Sequence, residues 1–184
     1  MSLHADATRT LATWTAPDAA QERLRVAYLA HLAAHPDGML RPCRPDHVTA
    51  SALVMTADAQ RVLLVRHRKA GMWLQTGGHC EEADASLVDA AAREALEETG
   101  IAGLQVDPDP LRLSRHAVPF CSPGGHHLDV QLLAVAPVDA EPVVAEGEDP
   151  VAWFGVGEPV EPTDADTLAL IAAARTRLRG TPRP

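Results

Sequence analysis

The chain has 184 residues, 46% of them hydrophobic, and a formal net charge of −9. That is enough apolar material for one cored domain with an extension, and a negative balance without a basic patch excludes duplex nucleic acid as a natural partner. No apolar run reaches membrane-spanning length and the N-terminus lacks a signal-type apolar core, so no membrane is expected and the cytoplasm is the default setting. Residues 1–16 show no clear periodicity. From Pro17 to His35 the spacing predicts a helix, with Leu24, Tyr28 and Leu32, joined by Val26 and Leu29, as its apolar stripe. Pro36-Asp37-Gly38 stops it and Arg41-Pro42-Cys43-Arg44-Pro45 reads as a linker. Residues 1–46 thus form a helical extension, expected to pack on the core's flank, to face substrate or to form a homodimer, and residues 47–184 form the main domain.

Val48–Thr56 reads as a strand, Ala57–Gln60 as a turn and Arg61–His67 as the returning strand. Trp73-Leu74-Gln75 is a short strand leading into Thr76-Gly77-Gly78. Ser86-Leu87-Val88-Asp89 has capping-box spacing, so a helix is expected from Leu87 to Thr99 with Gly100 at a left-handed C-cap. Val88, Ala92, Ala95 and Leu96 would form its core stripe, with Ala90 and Ala91 small enough to leave room for a ligand. Further strands are expected at Leu104–Asp107, Leu111–Val118, His127–Ala136 and Val151–Phe154. Two loops separate them, one around Pro123-Gly124-Gly125 and one from Pro137 to Pro150. Thr163-Asp164-Ala165-Asp166 opens a last helix, apolar at Leu168, Ile171, Ala172 and Leu178. Strands flanked by helices imply a mixed sheet between helical layers.

The informative stretch is Arg93-Glu94-Ala95-Leu96-Glu97-Glu98-Thr99-Gly100-Ile101. Glu94, Glu97 and Glu98 stand at i, i+3 and i+4 and share one helical face. Three crowded carboxylates call for a hard divalent cation, Mg²⁺ or Mn²⁺, which takes oxygen ligands and bridges to substrate phosphates. Cys43, Cys80 and Cys121 have no paired spacing, which argues against a disulfide framework and a Cys-based zinc site.

With Gly77-Gly78 upstream, this stretch resembles the Nudix box, G-x5-E-x7-R-E-U-x-E-E-x-G-U with U bulky and apolar. Two departures stand out. Counting from Gly78, the first acid is Asp84, and eight residues instead of seven separate it from Arg93. The U position holds Ala95. Because the extra residue falls before the helix, an Asp84–Arg93 ion pair is still expected. An exposed Arg93 beside Asp89 is the alternative.

The resemblance implies an α+β fold, a Nudix-type α/β/α sandwich. It implies a metal-dependent hydrolase that cuts the pyrophosphate of a nucleoside diphosphate linked to another group, by attack of water on phosphorus. Glu97 and Glu98 would be metal ligands and Glu94 a ligand, the general base, or both. The Gly77 carbonyl would be a further ligand, and Arg93 would orient the catalytic Glu. Gly78, His79, Arg68, His127 and Glu148 are the candidate substrate-binding residues. His67 and Lys69 are further phosphate candidates, Asp129 shares a strand face with His127, and Glu146 or Glu148 could supply a late-loop acid. Trp14, Trp73 and Phe120 are the few aromatics available for stacking, and nothing separates one phosphoanhydride substrate from another. The other readings are a non-catalytic Nudix ligand-binding or sensor domain and an isoprenoid-diphosphate isomerase, which would want a catalytic cysteine such as Cys80.

Overall fold

A computed structural model describes residues 2–118, 121–144 and 147–180, so Phe120 and Glu146 lie outside the described residues. The elements are α1 (Leu3–Thr13), α2 (Ala19–Ala34), β1 (His47–Thr56), β2 (Arg61–His67), β3 (Met72–Leu74), β4 (Thr76–His79), α3 (Leu87–Thr99), β5 (Gln105–Val106), β6 (Arg112–Ala117), β7 (His126–Ala136), β8 (Val151–Gly155) and α4 (Ala165–Gly180). β1 and β7 are the parallel centre, paired from His47 opposite His127 to Thr56 opposite Ala136. The other pairings are antiparallel: β1 with β2 and β4, β2 with β3 and β8, and β7 with β5 and β6.

Strand alternation divides the sheet into two faces. Val48, Ala50, Ala52 and Val54 join Leu128, Val130 and Leu132 under α1, α2 and α3. Leu53 and Met55 join Leu133 under Leu170 and Ala174 of α4. The fold is therefore α+β, an α/β/α sandwich around a mixed sheet. On the second face β1 changes character: His47, Thr49 and Ser51 precede Leu53 and Met55. The apolar half is covered by α4 and the polar half lines a cavity.

Helix α1 corrects the expectation of an irregular N-terminus. Its buried line is thin, Leu3, Ala7 and Leu11 with Asp6 among them, so an alanine at the centre hides the period. Asp6 has a partner of its own: its Oδ2 accepts from the Leu87 N–H at 3.0 Å, an otherwise orphan donor at the start of α3.

Asp18 caps α2 by accepting from the Ala20 and Gln21 amides. Tyr28 and Leu32 are buried as expected, whereas Val26 is exposed. The helix docks on β6, whose only strand partner among the described residues is β7. Gln21 treats that free edge as a further strand would. Its Nε2 donates to the Leu113 carbonyl at 3.0 Å and its Oε1 accepts from the Leu113 N–H at 2.7 Å. The Tyr28 hydroxyl donates to the Ser114 carbonyl at 2.8 Å. These side chains cover an edge that would otherwise offer unpaired backbone groups. In α4 the expected stripe is corrected in part: Ile171 and Leu178 pack against the core, but Thr167, Leu170 and Ala174 are the buried residues and Leu168 is exposed. A one-residue slip turns the buried face by about 100°.

Candidate active site

Helix α3 has the expected bounds. Ser86 accepts from the Asp89 amide at 3.1 Å, and Gly100 ends the helix at φ 68° with its N–H on the Leu96 carbonyl. A Cβ on Gly100 would also fall 2.2 Å from the Val143 carbonyl oxygen.

The face this helix turns to the sheet is not the expected one. Leu87, Ala90, Ala91, Ala95 and Thr99 are buried, while Leu96 is exposed. Ala90 and Ala91 are core residues and do not flank a ligand. Glu94 and Glu98 continue the Ala90 line at four-residue steps, so two of the three carboxylates point toward the sheet. Gly78 makes room for Glu94. A Cβ on Gly78 would lie 2.6 Å from a Glu94 carboxylate oxygen. A Cβ on Gly77, at φ 154°, would project to the other side of β4 and lie 2.4 Å from Ser51 Cβ.

Glu98 Oε2 accepts from the Gly77 N–H at 3.1 Å. Burial pushes its pKa up to about 8; that hydrogen bond opposes the shift, and the charges of Glu94, Asp149 and Glu97 add to it. Burial also raises Glu94, against the pull of Arg93. Glu97 stands toward solvent, its side chain 58% exposed.

Arg93 ties the cluster together. Its Nε and Nη2 donate to the two Asp84 oxygens, both at 3.1 Å. Nη1 donates to Glu94 at 2.9 Å and Nη2 to the His79 carbonyl at 2.9 Å. The Asp84–Arg93 pair therefore forms despite the extra residue. Asp84 is buried and also accepts from the Glu81 N–H at 2.8 Å. Asp89 is occupied with the Ser86 cap instead.

On the Gly77 side of β4 lies a cavity of about 470 Å³, walled by Gly77, Gly78, His79, His116, His127 and Asp129 among others. Asp129 is buried and accepts from Thr49 Oγ1 at 2.9 Å and Ser51 Oγ at 2.6 Å. Burial, then the neighbouring imidazoles, lowers His79 to about 4 and His127 to about 3. Both are neutral at pH 7.

Of the expected residues, Glu94, Glu97, Glu98, Arg93, Gly77 and Gly78 come together, and His79 and His127 meet in the cavity with His67 and Lys69 on its wall. Arg68 and Glu148 do not join them. The Arg68 guanidinium pairs with Asp149 at 2.7 Å, and Glu148 is exposed. The late-loop acid whose charge reaches Glu98 is Asp149. Sequence reasoning also passed over His47 and His116, whose only signal was strand alternation opposite His127. Trp14 is buried in the core and Trp73 packs edge-on against Phe154, so neither offers an open ring. Cys80 is buried in the core and burial pushes its thiol up to about 12, which makes it a poor candidate for the catalytic cysteine an isomerase would want.

Among solved structures, the chain resembles the C. elegans Ap4A hydrolase in a binary complex, at TM-score 0.61 and 16% identity over 73% of this chain and 98% of that one. It resembles the NUDIX domain of Shewanella oneidensis NrtR complexed with ADP ribose, at TM-score 0.56 and 25% identity over 75% and 92%. It resembles the MutT NUDIX hydrolase from Burkholderia pseudomallei, at TM-score 0.53 and 24% identity over 71% and 98%. Comparison with curated protein sequences gave no match. The NUDIX domain family model matches residues 45–173, the span that carries the glycine pair, the Asp84–Arg93 fork and the three carboxylates, and the chain belongs to the Nudix family.

Proposed function

We propose that the protein is a metal-dependent pyrophosphohydrolase that cleaves a nucleoside diphosphate linked to another group, with Mg²⁺ or Mn²⁺ as cofactor. The observation that carries this reading is the convergence of Glu94 and Glu98 on the side-chain-free Gly77-Gly78 step, with Glu97 beside them and Arg93 holding Glu94. The donor set fits the ion: carboxylates plus a backbone carbonyl are hard oxygen ligands. Glu94, Glu97, Glu98 and the Gly77 carbonyl would hold it, and a bound divalent ion supplies charge neutralisation at phosphoryl oxygens and a more acidic water. Arg93 fixes the Glu94 carboxylate, and its bond to the His79 carbonyl anchors that carboxylate to the end of β4.

Gly78, His79 and His127 are proposed on the substrate side, as part of the wall of the cavity beside β4. Arg68 and Glu148 are proposed as outer contacts once the loop that Asp149 belongs to rearranges. Residues 47–184 are taken as the catalytic unit, carried by 1–46. Among the described residues no helix is long and apolar enough to cross a membrane, and a cytoplasmic setting is part of this proposal.

A non-catalytic reading has one specific support, the resemblance to the NrtR domain bound to ADP ribose. The test separates the two. Phosphate release with Mg²⁺ or Mn²⁺ is measured for ADP-ribose, Ap4A and nucleotide sugars after phosphatase treatment of products, and for nucleoside triphosphates after treatment with inorganic pyrophosphatase. Turnover that is lost on Glu97→Gln supports the hydrolase. Saturable binding of ADP-ribose with no turnover on any member of the panel supports the sensor.

A further inference from the structure

We propose that His47, His79, His127 and Cys121 form a second metal site, for Zn²⁺, on the face of β4 opposite the carboxylates. One ligand atom from each lies within 4.8 Å of all the others. His79 Nε2 is 3.2 Å from Cys121 Sγ, which is 4.0 Å from His47 Nε2. The three rings are mutual neighbours, with centroids 4.9–5.1 Å apart. Tetrahedral zinc places N and S ligands about 2.0–2.3 Å from the ion, hence about 3.3–3.8 Å from each other. The present spread closes to that with a shift of about 1 Å, within reach of side-chain rotation.

The polar atoms are arranged as a metal site requires. The His47 ring faces the Cys43 carbonyl through Nδ1 at 3.2 Å, which selects the tautomer whose Nε2 lone pair faces the cluster. His127 Nε2 is buried with no hydrogen-bond partner among the described residues. A buried polar atom left in that state is costly, and one cation in the centre satisfies all four donors together. Three zinc-bound imidazoles and a thiolate leave a net charge of +1. Asp129, two residues along β7 on the same face, is a buried carboxylate with no cationic side chain in ion-pair contact among the described residues, and such a site supplies its counter-charge.

The donor set separates the two sites by chemistry. Imidazole and thiolate select zinc, whereas the carboxylates and the Gly77 carbonyl select Mg²⁺ or Mn²⁺. Four protein ligands also leave no open position, so this is a closed, structural site. It pins the Cys121 loop to the sheet and fixes His79, whose carbonyl holds Arg93. The spacing of the cysteines could not reveal it, because its ligands come from β1, β4, β7 and the β6–β7 loop.

The experiment uses the full chain, stripped by chelator and titrated with Zn²⁺ in excess Mg²⁺. One zinc per chain is expected by elemental analysis, with a rise in melting temperature of about 5–10 °C at saturation. Co²⁺ should give tetrahedral d–d bands and a thiolate charge-transfer band that Cys121→Ser removes. His127→Ala should weaken zinc by more than the roughly 10–100-fold typical of losing an outer-shell partner. Glu98→Gln and Cys43→Ser should keep it. In the unmutated protein, zinc should slow alkylation of Cys121. The proposal is overturned if zinc uptake is not stoichiometric, if it survives His127→Ala, if it is lost in Glu98→Gln, or if Cys121 alkylates equally fast with zinc present. None of these readouts needs turnover, so failure here leaves the hydrolase reading standing, and the converse.

Discussion

Strand β4 is four residues long and separates two clusters of opposite chemistry. On the α3 side are carboxylates crowded against Gly78; on the cavity side are imidazoles crowded around His79. Each cluster packs groups that would repel if all were charged, and burial answers the same way in both. It raises Glu98 to about 8 and lowers His127 to about 3, so each cluster is driven toward its neutral form. They differ in what holds them. The carboxylates have a permanent cation, Arg93, forked onto Asp84 and Glu94. Among the described residues the imidazoles have no acidic partner of that kind, and His127 Nε2 has no hydrogen-bond partner. A region built to exchange a hard ion during turnover needs a fixed counter-charge between occupancies. A region built around one resident ion does not.

The largest effect that tests this contrast is on activity. Glu98→Gln keeps the shape of the side chain but removes an oxygen that would ligate the proposed ion, and on the hydrolase reading should lower kcat at saturating Mg²⁺ roughly a thousandfold. Near-normal turnover in that variant would remove the carboxylate face from the chemistry. Next comes Asp84→Ala. Arg93 would lose its bidentate, buried partner, and the stability cost should be about 3 kcal/mol, near the low end for a broken buried pair because Glu94 and the His79 carbonyl remain. Urea melts that differ by less than about 1 kcal/mol would mean that the pair is dispensable.

The legibility of the two faces differs for a physical reason. The carboxylate face is built from local spacing. Ser86, the three glutamates and Gly100 lie on one helix, so its bounds and its acids could be read directly. What could not be read was which way they point. A helix face carries small alanines on both sides, and it is the absence of a side chain at Gly78 that lets Glu94 turn inward. The imidazole face is built from register. His47 meets His127 across a parallel ladder and His116 meets His127 across an antiparallel one, and no sequence separation encodes either pairing. Helix α1 was invisible for a third reason: its buried line centres on Ala7, and its one buried acid finds its donor in Leu87. Most remaining strands were legible because their alternation and turns are local, but β4 was read only as the step after a short strand, since its two glycines carry no alternation.

A pH series on chelator-treated protein should resolve the two faces as two flanks of stability. Glu98 has a folded pKa near 8, above its usual 4.5. The folded state therefore keeps a proton that the unfolded state releases, and this contribution is full below about 4.5 and is lost as pH rises toward 8. His79 and His127, lowered from 6.5 to about 4 and about 3, act the other way. Below about 6.5 the unfolded chain binds protons that the folded state refuses, so stability falls on acidification. A melting-temperature maximum near pH 6–7 is expected. Glu98→Gln should flatten only the alkaline flank and His127→Asn should soften only the acid one. Flanks that respond to the opposite variants would show the two clusters to be coupled through β4 and not separate.

The smallest effects concern what supports the imidazole face from behind. His116 rides on β6, a strand whose outer edge is satisfied by α2 and not by another strand. Gln21→Ala would leave both the N–H and the carbonyl of buried Leu113 unpaired and should cost about 2 kcal/mol. Tyr28→Phe removes one hydroxyl from the Ser114 carbonyl while keeping the ring, and should cost about 1 kcal/mol. Both act through the backbone of β6, so neither should alter the kcat set by the carboxylates on the far side of β4. Denaturant midpoints give the order. A larger loss from Tyr28→Phe than from Gln21→Ala, or a fall in kcat comparable to that of Glu98→Gln, would mean that α2 reaches the chemistry and that the division at β4 is drawn in the wrong place.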